Sequence, residues 1–346
     1  MIDKTRLLFF EEMDKENSLL RVKNLHVDFK LRDGNTLHAV NSVSLEIAAG
    51  EILGLVGESG SGKTVFSSSL LRLINSPGQI SNGEILFDGK NILKFSASSL
   101  RSLRGGGIAM IFQNPQSSLN PVYSIGTQLK SILRLHQGLS GKNAQTEAIN
   151  LLNLVKIPDP ERRFNDYPSQ FSLGMCQRIM IAMALACRPK LLIADEPTAS
   201  LDVTIQAQIM DLLLELREKF QMAILLVSHD LGVIARMSDR IAVMYLGRIV
   251  EVASAKDLYY SPKHPYTKAL LESIPIPDPN HRGKLSKIYG DIPSPLSINA
   301  GCRFKTRCPK AFEKCEHIDP LLEPVNGNEH TAACLLYQTD TLTTAN

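Results

Sequence analysis

The segment Gly57-Glu58-Ser59-Gly60-Ser61-Gly62-Lys63-Thr64 constrains this chain more than any other. It fits the pattern G-x-x-x-x-G-K-[ST], and its surroundings give the pattern physical content. The apolar run Ile52 to Val56 predicts a strand before it. The positions Phe66, Leu70, Leu71 and Ile74 predict a helix that opens near Lys63. Glycines let backbone N–H groups turn inward around phosphate oxygens at a helix N-terminus, whose partial positive charge favours an anion. Lys63 is then expected to reach the β- and γ-phosphates, and the Thr64 hydroxyl to ligate Mg²⁺. A glycine-rich turn with a chance lysine would require neither the strand nor the helix. The chain is expected to bind a nucleoside triphosphate.

Short strands are predicted between Leu19 and Leu55, with partial alternation at Val22, Leu25, Val27 and Phe29 and a turn at Asp33-Gly34-Asn35. Gly83 to Phe87 and Ile108 to Phe112 predict further strands, the second delivering Gln113. From Pro115 to about Leu185 the pattern is mostly helical. Leu191 to Ala194 predicts a buried strand that ends in Asp195-Glu196-Pro197. Ile205, Ile209, Leu212, Leu213, Leu216 and Phe220 mark one face of the next helix. Ala223 to Val227 leads to Ser228-His229-Asp230, and a hairpin is expected around Leu246-Gly247. Beyond Ser261, prolines accumulate (Pro262, Pro265, Pro275, Pro277, Pro279) and regular patterns fade. Strands that alternate with helices and end in functional residues indicate an α/β fold with its ligand at the strand C-terminal ends. At the end of its strand, Asp195 is suited to hold Mg²⁺ through water and Glu196 to act as general base on the attacking water.

Composition excludes more than it assigns. A net charge of +3 over 346 residues gives no argument for binding nucleic acid or an anionic membrane surface. The longest apolar candidate, Ile179 to Ala186, is far too short to span a bilayer. Arg6 and Leu7-Leu8-Phe9-Phe10 are followed at once by Glu11, Glu12 and Asp14, so no secretory signal is expected. A cytosolic chain is expected, with any membrane contact made through a partner. In that compartment the clustered cysteines Cys302, Cys308, Cys315 and Cys334 point to a metal rather than to disulfides. Cys176 and Cys187 fall apart from them and are expected to be packing residues.

Ser172-Leu173-Gly174-Met175 with Gln177-Arg178, taken with Gln113, Ser200-Leu201-Asp202 and His229, resembles the nucleotide-binding domain of an ABC ATPase. The order matches too: phosphate loop, glutamine loop, signature, Asp-Glu strand, D-loop, switch histidine. The resemblance implies an ABC-type P-loop NTPase with a RecA-like core, an antiparallel β subdomain and a helical subdomain over about 114–186. It also implies that Phe29 stacks on adenine, that Gln113 touches Mg²⁺ or its water and senses a membrane partner, that His229 contacts the γ-phosphate, and that Asp202 couples two opposed domains. In that family each ATP lies between one domain's phosphate loop and the other's signature, Ser172 and Gly174 here.

Ile111-Phe112-Gln113-Asn114-Pro115, Ser118-Leu119-Asn120-Pro121, Ser261 to Thr267, Gly301-Cys302-Arg303-Phe304 and Arg307-Cys308-Pro309 are similar to the ATPase subunits of oligopeptide and dipeptide importers. The implied division is an N-terminal extension (1–18), an ATPase domain (19–260) and a small Cys-rich C-terminal extension (261–346). The implied assembly has a second ABC ATPase subunit, two integral membrane permeases and an extracytoplasmic peptide-binding protein, on the cytoplasmic face of the inner membrane. Nickel and glutathione importers share the subfamily. A soluble ABC protein of repair or translation type would need two ATPase domains or a long insertion.

Two departures stand out. Leu173 replaces the first glycine of the signature, so its side chain either crowds the phosphate or forbids the required dihedrals, or else is tolerated. The four tail cysteines lack C-x-x-C spacing. The resemblance offers a [4Fe–4S] cluster on them, with zinc in a looser cage or four reduced thiols as the alternatives; His317 and His330 are candidate substitute ligands but are expected to be exposed polar side chains.

Overall fold

Strands buried on both faces set the centre of the molecule. In chain order the elements are β1 (Ser18–Lys30), β2 (Thr36–Ala48), β3 (Ile52–Val56), α1 (Lys63–Ser69), β4 (Gly78–Phe87), β5 (Lys90–Asn91), α2 (Ala97–Gly106) and β6 (Ile108–Ile111). A helical block follows: α3 (Pro115–Ser118), α4 (Ile125–Gln137), α5 (Gly141–Leu154), α6 (Pro160–Arg163) and α7 (Leu173–Leu185). Then come β7 (Leu191–Asp195), α8 (Val203–Phe220), β8 (Ala223–Ser228), α9 (Leu231–Met237), β9 (Arg240–Tyr245), β10 (Arg248–Ser254), α10 (Ala255–Tyr260), α11 (Pro265–Glu272), α12 (Lys314–His317), β11 (Glu323–Pro324) and β12 (Thr331–Ala332). This computed structural model describes residues 18–199, 201–274, 290–297, 300–325 and 329–338. Residues 1–17 of the expected extension, Ser200 of the D-loop, and Pro275, Pro277 and Pro279 lie outside the described residues.

The main sheet has the order β11-β12-β10-β9-β3-β8-β7-β6, and its strands β9, β3, β8, β7 and β6 run parallel. Alternate residues of each parallel strand feed two cores. Ile52, Val56, Leu192, Ala194, Ile224 and Leu226 face the core shared with the helices. Leu53, Leu55, Leu191, Ile193, Leu225 and Val227 face the core beneath the second sheet, β2-β1-β4-β5. Burial on both faces is why these strands read as continuous apolar runs rather than as alternation. Parallel pairing also brings the C-terminal ends of β3, β6, β7 and β8 to one edge, and with them the phosphate loop, Gln113, Asp195-Glu196 and His229.

Three sequence expectations are corrected. The strands near the N-terminus are long, 13 residues in both β1 and β2. Register shifts between Val22 and Leu25 and between Leu25 and Val27 break the period of two, which explains the partial alternation. Helix α1 stops at Ser69 instead of continuing to Ile74. Its serine-rich end competes for backbone hydrogen bonds. The Arg104 guanidinium also donates to the Leu71 carbonyl at 2.8 and 3.0 Å and to that of Arg72 at 3.0 Å, replacing helical donors. Finally, the C-terminal segment is not irregular throughout: β12 pairs antiparallel with β10 and β11 with β12, extending the main sheet.

That segment is tied down by a buried polar centre and a ring cluster. The fully buried Glu251 accepts from the Lys263 N–H at 2.6 Å through Oε1 and from the His264 N–H at 2.9 Å through Oε2, and His330 Nε2 lies 2.6 Å from Oε1. His330 is therefore buried and paired, contrary to expectation, whereas His317 is exposed. Tyr245 packs on Tyr266 and Phe304 with ring centroids 4.6 and 5.3 Å apart.

Candidate active site

The backbone at Gly62 defines the phosphate loop. Its φ of +103° is left-handed, and a Cβ there would meet the Ala39 carbonyl oxygen at 2.4 Å, so only glycine fits. Gly57 is equally confined, since its Cβ would meet the Met244 carbonyl oxygen at 2.1 Å. Behind the loop Lys63 is buried, and its Nζ donates to the carbonyls of Gly57 at 2.7 Å and Glu58 at 3.0 Å and to Ser61 Oγ at 3.4 Å. Burial lowers the Lys63 pKa, while the carboxylates of Glu196, Asp195 and Glu58 oppose the shift.

Thr64 Oγ1 lies 3.4 Å from Asp195 Oδ1, across 131 residues of sequence. Burial raises the Asp195 pKa and the Glu196 charge adds to it; the Thr64 and Ser67 hydroxyls and Lys63 pull the other way. Two hard oxygen ligands, one destabilised as an anion by burial, suit a divalent cation such as Mg²⁺.

Glu196 follows β7 with a φ of 48°, a left-handed conformation unusual for a non-glycine residue. Its backbone N–H donates to the Val227 carbonyl at 2.9 Å, tying the end of β7 to β8. Its carboxylate accepts from Gln113 Nε2 at 2.7 Å and lies 3.3 Å from His229 Nδ1. Gln113, Glu196 and His229 thus form one chain at the open edge of the sheet.

A cleft of about 450 Å³ is lined by Phe29, Ser59, Gly60, Lys63, Thr64, Gln113 and Glu196, among others, while Asp195 and His229 are not in its lining and join it through Thr64 and Glu196. Sequence reasoning missed other lining residues: Leu37, His38 and Ala39 of β2, Leu246 and Gly247 of the β9–β10 turn, and Pro295 of the C-terminal segment. Only the turn carried a signal: Leu246 and Gly247 have φ of 43° and 82°, as a tight hairpin requires. Ser172, Gly174 and Asp202 do not line the cleft. Ser172 caps α7, with Oγ accepting from the Met175 N–H at 3.3 Å, and Asp202 caps α8 by accepting from the Ile205 N–H at 3.0 Å. A Cβ on Gly174 would meet Ile205 Cγ2 at 2.8 Å, so this glycine permits α7 to approach α8.

Residues 40–199 match the family model described as ABC transporter, and residues 250–315 match that of the oligopeptide/dipeptide transporter C-terminal region. The chain is 47% identical over 313 residues to the dipeptide transport ATP-binding protein DppD of Haemophilus influenzae, covering 90% of this chain and 94% of that one. This chain belongs to the oligopeptide/dipeptide ABC transporter ATP-binding proteins. The oligopeptide transport ATP-binding protein OppD of Salmonella typhimurium is also 47% identical, over 88% of this chain and 90% of its own. The dimeric ATP-binding cassette MJ0796 in a post-hydrolysis state with ADP and Pi superposes with a TM-score of 0.61 at 28% identity, covering 68% of this chain and 98% of that one. The fold is that of an ABC-type P-loop NTPase.

In this ABC ATPase, Leu173 is the first residue of α7 and has a negative φ, so the fear of forbidden dihedrals is removed and only side-chain crowding remains. The tail cysteines give a mixed result. Cys302, Cys308, Cys315 and Cys334 all line one small cavity of about 20 Å³, beside His264 and Lys305. Burial pushes the Cys302 thiol up to about 12 and raises Cys308 and Cys334 as well. Among the described residues, however, no group of three or more His, Cys, Asp or Glu side chains is arranged to hold a metal ion. As placed, the four thiols share one cavity without any three of them being set to hold a single ion.

Proposed function

We propose that this ABC ATPase binds and hydrolyses ATP to energise a peptide importer from the cytoplasmic face of the inner membrane. The observation that carries this reading is the convergence of Lys63, Thr64, Gln113 and Glu196 on one cleft, with Asp195 against Thr64 and His229 against Glu196, in a chain so similar to peptide-transport ATP-binding proteins. In this reading Gly57 to Thr64 cradle the phosphates, Phe29 stacks on the base, and Thr64 and Asp195 hold Mg²⁺ with Gln113. Glu196 takes the proton of the attacking water while Gln113 and His229 orient it. Among the described residues no helix is long and apolar enough to cross a membrane, and in this reading the permeases are other chains. Phe112, Val122 and Tyr123, exposed by 45, 71 and 53%, offer apolar contacts to such a permease. Deleting this chain is expected to abolish uptake of labelled di- or oligopeptides, with recovery on restoring the wild type. Unchanged peptide uptake would overturn the importer reading.

The full assembly comprises a second ABC ATPase, two permeases and an extracytoplasmic peptide-binding protein. Ser172 to Met175 face the partner's ATP, Asp202 links the pair, and Leu173 weakens the ATP site that this signature completes. The domains divide at 18/19 and 260/261. Support for a metal, zinc or a [4Fe–4S] cluster, on the C-terminal extension comes from the four cysteines sharing one cavity. At about 20 Å³ the cavity has room for about one water-sized species, so in this reading a metal ion requires the thiols to turn toward one point and a cluster requires them to spread. Protein purified without oxygen is expected to carry stoichiometric iron or zinc; neither metal would exclude both.

A further inference from the structure

The phosphate loop contains one acidic side chain, Glu58, and every polar group of that residue is held. Its carbonyl accepts from Lys63 Nζ at 3.0 Å. Its backbone N–H donates to the hydroxyl of Tyr266, on α11, at 2.9 Å. Its carboxylate accepts two hydrogen bonds from Arg307, from Nη1 at 2.7 Å and from Nη2 at 3.0 Å, across 249 residues of sequence. Two-pronged contact between a guanidinium and a carboxylate fixes both position and orientation. The Arg307 side chain is only 4% exposed and that of Glu58 23%, so water screens the pair weakly. Arg307 itself is held by the rings of Tyr245 and Phe304, whose centroids lie 5.9 and 6.0 Å from its guanidinium carbon.

We propose that Arg307 is a positioning residue for ATP binding, which anchors and neutralises the Glu58 carboxylate so that the phosphate loop presents no net negative side chain to the triphosphate. This rests on the reading of the cleft as an ATP site. A carboxylate released beside the loop would repel the phosphates and compete for Lys63, on which the Glu58 charge already acts. The C-terminal segment, set far from the loop in sequence, thereby sets the affinity of the nucleotide site.

The test is Mg·ATP binding to the full chain by titration calorimetry, with melting curves to verify folding. Arg307→Met keeps an aliphatic stem against Tyr245 and Phe304 and removes the charge. It is expected to weaken Mg·ATP about tenfold, and adding Glu58→Gln to it should restore affinity to within about threefold of wild type. Recovery is the outcome that a purely structural role would not produce. Wild-type affinity in Arg307→Met overturns the proposal, and so does a double variant as weak as the single one. Wild-type protein that binds no Mg·ATP, with Lys63→Ala no different, instead overturns the reading of the cleft.

Discussion

Replacing Glu196 by glutamine is expected to stop ATP turnover while leaving ATP binding intact. The amide has the size of the carboxylate and can still meet Gln113 and His229, which lie 2.7 and 3.3 Å from it, but it cannot take a proton. A positioned general base contributes about 10²- to 10⁴-fold, and a loss in that range should appear in steady-state phosphate release. Turnover within a few-fold of wild type would assign the base elsewhere. The same variant decides the pairing of subunits, because blocked hydrolysis leaves the ATP-closed pair to accumulate. Light scattering after size exclusion with Mg·ATP is expected to show a monomer if Leu173 obstructs the signature, and Leu173→Gly in that background should then yield a dimer. A homodimer without that change means that Leu173, already seated in ordinary helical geometry, is tolerated at the phosphate as well.

Lys63→Ala is expected to remove nucleotide binding itself. The ammonium is buried and bonded to the Gly57 and Glu58 carbonyls at 2.7 and 3.0 Å, so the loop presents a fixed cation whose orientation is set before phosphate arrives. Burial disfavours that charge, and Glu196, Asp195 and Glu58 together sustain it. Phosphate oxygens would add to this stabilisation. Losing charge-assisted bonds worth about 2–3 kcal/mol corresponds to roughly 30- to 150-fold weaker binding of Mg·ATP. Affinity within threefold of wild type would show that the loop's N–H groups alone hold the triphosphate.

Local chemistry was legible in the sequence. The phosphate loop needs glycine at a left-handed position, a lysine behind it and a hydroxyl after it, all within eight residues, and Gly62, Lys63 and Thr64 stand where that requirement puts them. Asp195 and Glu196 were legible because a strand buried on both faces leaves a continuous apolar run, and acids at its end stand out. The resemblance supplied Gln113 and His229. Their meeting at Glu196 was not written in any local pattern, since Gln113 reaches it across 83 residues through the parallel order of β6 and β7.

By itself, then, the sequence determined the strand–loop–helix that cradles phosphate, the acidic strand end and the α/β class, because these follow from backbone sterics and burial within short windows. Only the tertiary structure decided what the C-terminal segment does. Strands of two residues, β11 and β12, are too short to show a period, so their addition to the main sheet had no signature. Pro295 in the cleft wall and His330 on Glu251 were equally silent. Arg307 is one of 38 lysines and arginines in the chain, and nothing near it in sequence marks the carboxylate it meets. An ion pair depends on distance in space, and folding closed the 249-residue separation that the linear pattern leaves open.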